Sequence, residues 1–273
     1  MTDIQPLLDI MSRLRDPESG CPWDQKQTYR SIVPHTLEEA YEVADTIERG
    51  DFDELRDELG DLLFQIVFYA QLAKEESRFE FIDVVEAISD KLIRRHPHVF
   101  ADMKFTNAED QTAHWEATKA KERQYKEGRT KEGQAKTARE QSQLDGVVNG
   151  LPALSLARKL QSRAARVGFD WPSEQGVFAK LDEEAKECRE AWNDDDARSE
   201  ELGDLLFTCV NLSRHADVDP EQALRLANKK FEQRFRIMES LARQKDLPLA
   251  ELSESQWETL WLQAKNTVAT DKQ

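Results

Sequence analysis

The sequence predicts an all-α protein built from two duplicated, four-helix-bundle-like domains. Three observations carry this reading: apolar residues recur at spacings of three and four along nearly every long segment, strand-like alternation is scarce, and one helical plan appears twice. Leu7, Ile10, Met11 and Leu14 mark a first helix, and Gly20 with Pro22 makes GCPWDQ a loop. Pro34 opens a second helix that covers residues 37–49 and stops at Gly50, and Asp53 begins a third that reaches Lys74. A fourth covers residues 82–95 and ends before Pro97, because the residue preceding proline is driven out of helical geometry. The second half repeats the plan with helices over residues 155–165, 174–192, 197–215 and 220–243, a GFDW loop separating the first two.

A chain of 273 residues suits two domains of roughly 100 to 150 residues each. The division expected is a first helical domain at residues 1–118, a charged linker at 119–150 and a second domain at 151–273. Residues 119–143 carry eight Lys or Arg against four Glu and almost nothing apolar, the composition of a solvated connector. The longest apolar run, residues 62–73, is broken by Gln65 and Gln71, whereas a membrane span needs about 20 predominantly apolar residues. The amino terminus lacks the pattern of an export signal, and three cysteines without CxxC spacing fit a reducing compartment, so a cytoplasmic protein is expected. A net charge of −16 repels nucleic acid at long range, so no nucleic-acid partner is expected and any phosphate must be held locally.

The repetition is specific. RDELGDLLFQIVFYAQLA at 56–73 returns as SEELGDLLFTCVNLSRHA at 199–216, and LEEAYEVADTI at 37–47 returns as DEEAKECREAW at 182–192. Lys91 and Arg95 match Lys230 and Arg234, and Trp115 with Lys119 matches Trp261 with Lys265. Each copy carries an EExxE string (Glu38, Glu39, Glu42; Glu183, Glu184, Glu187) followed by ExxD (Glu58, Asp61; Glu201, Asp204). Residues three apart share a helical face, and a short connection favours antiparallel packing, so the two pairs can meet as four carboxylates. Mg²⁺ suits such a site, because it prefers oxygen and accepts phosphate oxygens into its shell. His35, His96, His98, His114 and His215 all fall outside these strings, which argues against a di-iron centre.

These acids, the ELGDLLF strings, and GCPWDQKQT with RRHPHVFAD in the first copy resemble the MazG family of nucleoside triphosphate pyrophosphohydrolases. Tyr29 departs from the pattern of some relatives. The resemblance spans almost the whole chain. It implies a dimerising all-α subunit that holds Mg²⁺, with Mn²⁺ as a substitute ion, and cleaves NTP or dNTP to the monophosphate and pyrophosphate. By motif, Glu184, Glu187, Glu201 and Asp204 are the implied metal ligands of the second copy, two ions being compatible with them, and Glu39, Glu42, Glu58 and Asp61 are their equivalents in the first. Glu183, turned about 100° from the ligands, suits water positioning. Implied nucleotide contacts are Lys180, Glu183, Arg198, Lys230, Arg234, Trp261 and Lys265. Lys230 and Arg234 offer a point charge and a planar fork, and Trp261 a stacking face that tolerates many bases.

Two rival readings are a non-enzymatic helical dimerisation module and a hydrolase restricted to dUTP or modified nucleotides. A symmetric homodimer is expected, with Phe64, Val67, Phe68 and Leu72 of the 62–73 segment facing outward from their own unit. The second copy is expected to carry most turnover: its LLFTCVNLSRHA keeps Thr208, Asn211, Ser213 and Arg214 where the first copy is more apolar.

Overall fold

The computed structural model describes residues 4–107 and 142–270, with residues 110, 111, 114, 115, 117, 118 and 122 between them. Most of the expected linker therefore lies outside the described residues. The chain divides into two compact units, Met1–Lys126 and Glu127–Gln273. The first contains α1 (Gln5–Leu14), α2 (Pro22–Lys26), α3 (Tyr29–Arg49), α4 (Phe52–Glu75), α5 (Phe81–Arg95) and the short α6 (Pro97–Phe100). The second contains α7 (Ala153–Ala165), α8 (Glu174–Glu190), α9 (Asp195–His215), α10 (Pro220–Gln244), a 3₁₀ turn at Leu249–Glu251 and α11 (Glu254–Thr270). Among the described residues there is no strand, and the all-α expectation holds.

In the first unit the α3–α4 hairpin is set by its ends. Thr28 accepts from the Ser31 amide while Ser31 Oγ accepts from the Thr28 amide, a reciprocal cap that starts α3 at Tyr29, six residues into which Pro34 is absorbed. The expectation that Pro34 opens this helix is thereby corrected: the cap outweighs the one backbone donor that proline lacks. Gly50, at φ 72°, closes α3 in the left-handed conformation that glycine adopts without cost, and Asp51 caps α4 by accepting from the Glu54 amide at 3.1 Å. Two residues thus reverse the chain.

The core of this unit is Met11 of α1, Ile32 of α3, and Val67, Phe68 and Leu72 of α4. Val67, Phe68 and Leu72 therefore do not face outward as the sequence suggested; α1 packs along α4 and covers them, and Phe64 packs against the same cluster. Arg15 ties α1 to α4 through two parallel hydrogen bonds to Glu75, at 2.8 and 2.6 Å, and holds the Glu75 carboxyl below its usual range. Its Nη1 also donates to the Asp24 carbonyl, fixing the GCPWDQ segment, which is partly the helix α2 and not a loop throughout.

In the second unit α8 and α9 form the equivalent hairpin, with Asp194 Oδ1 accepting from the amides of Asp196 and Ala197 at 3.1 Å. Beyond them, α10 and α11 pack through Met238, Ala242, Leu260 and Ala264. The final helix, α11, has no counterpart among the helices expected from the sequence.

Candidate active site

Both hairpins bring carboxylates together. Glu39 of α3 meets Glu58 and Asp61 of α4, and Glu184 of α8 meets Glu201 and Asp204 of α9; in each group one oxygen per residue lies within 4.8 Å of the others. The cause is local and repeated: ExxD puts two acids on one face of one helix, and the antiparallel partner presents the second Glu of its EExxE string to the same point. Glu184 is buried, Glu201 half-buried and Asp204 exposed, so each cluster opens on one side. Glu42 and Glu187 stand outside these triads.

Close carboxylates resist ionising together. Burial, followed by the charges of Glu187, Glu184 and Asp204, pushes the Glu201 carboxyl up. Burial and the neighbouring acids do the same to Glu39 and Glu58. Cys188, buried beside the second cluster, is also pushed up, first by burial and then by these acids, so it remains a thiol and packs as one. An all-oxygen, mutually repelling, partly open donor set fits a hard divalent cation.

Lys180, one turn before Glu184, reaches its Oε1 at 2.7 Å and Glu183 Oε1 at 2.9 Å, placing a cation directly on the second cluster. At the same position of the first copy stands His35, 3.7 Å from Glu38. Arg198 donates to the Trp192 carbonyl and pairs with Asp195, its guanidinium over the Trp192 ring. Lys230 is exposed on α10, while Arg234 lies over the ring of Trp261 with its Nε buried and lacking a partner among the described residues. Trp261 packs against the α10–α11 core and Phe231, and Lys265 is half-buried one turn further on. Among the described residues no hydrogen bond or ion pair joins Arg198, Lys230, Arg234 or Lys265 to the carboxylates.

The GFDW loop expected between α7 and α8 carries contacts that the sequence does not reveal. Gly168 turns left-handed there, at φ 87°, and Asp170 accepts from Arg214 and from His215 of α9. Arg214 holds the Asp170 carboxyl below its ordinary range.

The raised carboxyls make a pH-dependent prediction. Glu39, Glu58 and Glu201 bind protons more tightly in the fold than in the unfolded chain, so their contribution to the ion-free fold is full below 4.5 and is lost as pH rises past it. A bound cation offsets that loss. The rise in Tm on adding Mg²⁺ should therefore be small near pH 5 and larger at about pH 7.5, and should disappear when Glu58→Gln, Asp61→Asn, Glu201→Gln and Asp204→Asn are combined. A rise equal at both pH values, or one that survives the four substitutions, contradicts this assignment.

Comparison with known proteins bears on these hairpins. The domain model described as the MazG nucleotide pyrophosphohydrolase domain matches residues 27–100 and 173–236, one segment around each carboxylate triad. The nucleoside triphosphate pyrophosphohydrolase of Escherichia coli (strain K12) is 49% identical over 269 residues, covering 97% of this chain and 98% of its own. The nucleoside triphosphate pyrophosphohydrolase/pyrophosphatase MazG of Thermotoga maritima is 44% identical over 262 residues, 96% of this chain and 95% of its own. The nucleoside triphosphate pyrophosphohydrolase of Mycobacterium tuberculosis is 32% identical, over 95% of this chain and 70% of its own. With both triads inside the matched segments and similarity running nearly end to end, the chain belongs to the MazG family of nucleotide pyrophosphohydrolases.

Proposed function

We propose that this protein is a Mg²⁺-dependent, cytoplasmic hydrolase that converts nucleoside and deoxynucleoside triphosphates to monophosphates and pyrophosphate with little regard for the base, and that the second unit does most of the work. The observation that carries the reading is the convergence of Glu184, Glu201 and Asp204 on one open point beside Lys180, in a chain whose relatives bear the name of this activity.

Glu184, Glu201 and Asp204 would hold the cation, with Glu187 close enough to lead the charges acting on Glu201 and complete a set for a second ion. A divalent ion so held neutralises triphosphate charge and acidifies water. The chain's own groups do the remaining work. Lys180 can leave Glu184 for a phosphate oxygen once that carboxylate is shared. Glu183, exposed and tied to Lys180, can take a proton from water approaching the α-phosphorus. Lys230 and Arg234 supply charge for the departing pyrophosphate, Arg234 through a guanidinium whose Nε is still unpaired.

Three differences favour the second unit. Lys180 is replaced by His35 in the first. Arg95, the counterpart of Arg234, is consumed by Glu122, whose carboxyl Arg95 and Arg94 hold down to about 2. Phe68, the counterpart of Asn211, fills the first unit's core. Hydrolysis of ATP in ¹⁸O-labelled water should put the label in AMP. Glu201→Gln with Asp204→Asn should remove nearly all turnover, about two orders of magnitude or more, whereas Glu58→Gln with Asp61→Asn should leave most of it. Orthophosphate and ADP as products, or equal losses from the two pairs, would overturn the proposal.

A homodimer also belongs to this reading, on a different surface from the one the sequence suggested. Ile82, Val85, Ile88 and Leu92 are exposed along one face of α5 at spacings of three and four, an apolar stripe of the kind that a second copy covers. Sedimentation should give twice the 31.5 kDa chain mass, and Ile88→Glu with Leu92→Glu should return the monomer. A monomer in the unsubstituted protein at micromolar concentration contradicts the dimer.

A further inference from the structure

The helix α5 ends in two consecutive arginines, and both turn to one carboxylate. Arg94 donates to Glu122 Oε1 through Nε at 3.2 Å and Nη2 at 2.7 Å, and Arg95 donates to Glu122 Oε2 through Nε at 3.1 Å and through Nη2. Each carboxylate oxygen therefore lies in the fork of its own guanidinium, as the oxygens of a bound anion do. The Glu122 and Arg95 side chains are 15% and 18% exposed and that of Arg94 is 55% exposed, so the node is sheltered on one side and open to solvent on the other. Arg95 first, and then Arg94, hold the Glu122 carboxyl down to about 2, so it stays charged throughout the neutral range. Two guanidinium charges facing one carboxylate leave a positive charge over, and Lys91 stands one turn before Arg95 on the same helix.

The second copy carries the same node without the acid. Lys91, Arg95, Trp115 and Lys119 recur as Lys230, Arg234, Trp261 and Lys265, but in the same two registers Arg94 becomes Gln233 and Glu122 becomes Val268. The residues that the copies share are thus the cations and the tryptophan, while the two that make the extra contact differ together. Arg234 has its Nε buried without a partner among the described residues, whereas its counterpart Arg95 gives both Nε and Nη2 to Glu122. A tie between helices needs only one arginine, as Arg15 shows with Glu75. Glu122 also comes from a basic stretch, between Lys121 and Arg123, and it is the acid of that stretch that meets the arginines.

We propose that the end of α5 is a latent site for a phosphoanion of the pyrophosphate class, and that Glu122 is a built-in stand-in for that anion which keeps the site closed. The proposal rests on the reading of Lys230 and Arg234 as the groups that take the departing pyrophosphate. A carboxylate offers two oxygens and one charge. Pyrophosphate brings more of both, engages the two forks and Lys91 together, and is the stronger partner of the arginines once Glu122 is removed. While Glu122 is present, its attachment to the chain gives it an effective concentration on the order of millimolar or above at the arginines, which keeps a dilute anion out. Its low pKa means that a change of pH within the neutral range does not open the latch. The first unit accordingly keeps its carboxylate triad and its cations but accepts no anion, and each chain holds one pyrophosphate where the duplication would allow two.

Isothermal titration of the full-length protein with inorganic pyrophosphate in Mg²⁺ counts the sites without turnover. The unsubstituted protein should bind one pyrophosphate per chain. Glu122→Gln, which keeps the shape, and Glu122→Val, valine being what the second copy carries there, should each bind two, the first-unit site tightening by about tenfold or more. Glu122→Asp, which keeps the charge, should stay at one. Adding Arg95→Gln to Glu122→Gln should remove the new site, and adding Arg234→Gln instead should remove the original one and spare the new. A purely structural tie would lower the Tm of the Glu122 variants and leave the count at one, with circular dichroism reporting that the helices remain. One site in both Glu122→Gln and Glu122→Val, or two in the unsubstituted protein, overturns the latch and leaves the reading of Lys230 and Arg234 intact. No binding to the unsubstituted protein overturns that reading instead, and a site that then appears in Glu122→Gln upholds the latch. No binding by any of the proteins overturns both.

Discussion

Three carboxylates held with their oxygens within 4.8 Å of one another are the constraint around which each unit is arranged. Left to themselves these groups repel, and the protein answers by spending structure on holding them in place. A two-residue reversal at Gly50 and Asp51 locks α3 to α4, and the Asp194 cap fixes the start of α9 beside α8. The cores lie behind the acids: Val67, Phe68 and Leu72 follow Asp61 along α4, and Val210 follows Asp204 along α9. Each long helix thus carries its charge near its beginning and its packing surface further on, so that the energy gained by burial pins the repulsive end. A cation held there, as proposed above, would complete this arrangement by supplying the charge the fold leaves missing.

Duplication preserved the hairpin and let its surroundings diverge. The position four residues before the triad's Glu on the first helix of the hairpin carries Lys180 in one copy and His35 in the other. The arginine of the fourth long helix is neutralised by Glu122 in the first unit and retains an unpaired Nε in the second. Where α4 buries Phe68, α9 carries Asn211 beside an open groove. The same carboxylate geometry therefore continues into a packed core in one half and beside an open groove in the other.

How much of this was readable before the structure follows from the range of the interactions. ExxD and EExxE are local patterns whose consequence is fixed by helical periodicity, so the meeting of Glu184 with Glu201 and Asp204 could be inferred from spacing and one short connection. Helix ends were less legible: the start of α3 depends on a reciprocal Thr28–Ser31 cap that outweighs Pro34. The facing of α4 depends on α1, some fifty residues earlier, and periodicity cannot tell an outward stripe from one that a remote helix covers. The groove was the least legible part. It needs Gln161, the 168–171 loop and Phe207 to arrive from three separate stretches, and the unpaired state of Gln161 Oε1 exists only once they have done so.

The central claim is that the triad of the second unit is a divalent-cation site. Anomalous scattering from crystals grown with Mn²⁺ in place of Mg²⁺ tests it without relying on turnover. A strong difference peak bounded by carboxylate oxygens of Glu184, Glu201 and Asp204 is expected, and it should disappear in the Glu201→Gln, Asp204→Asn protein. Saturating Mn²⁺ with no peak at that point, or a peak that persists after both substitutions, would contradict it.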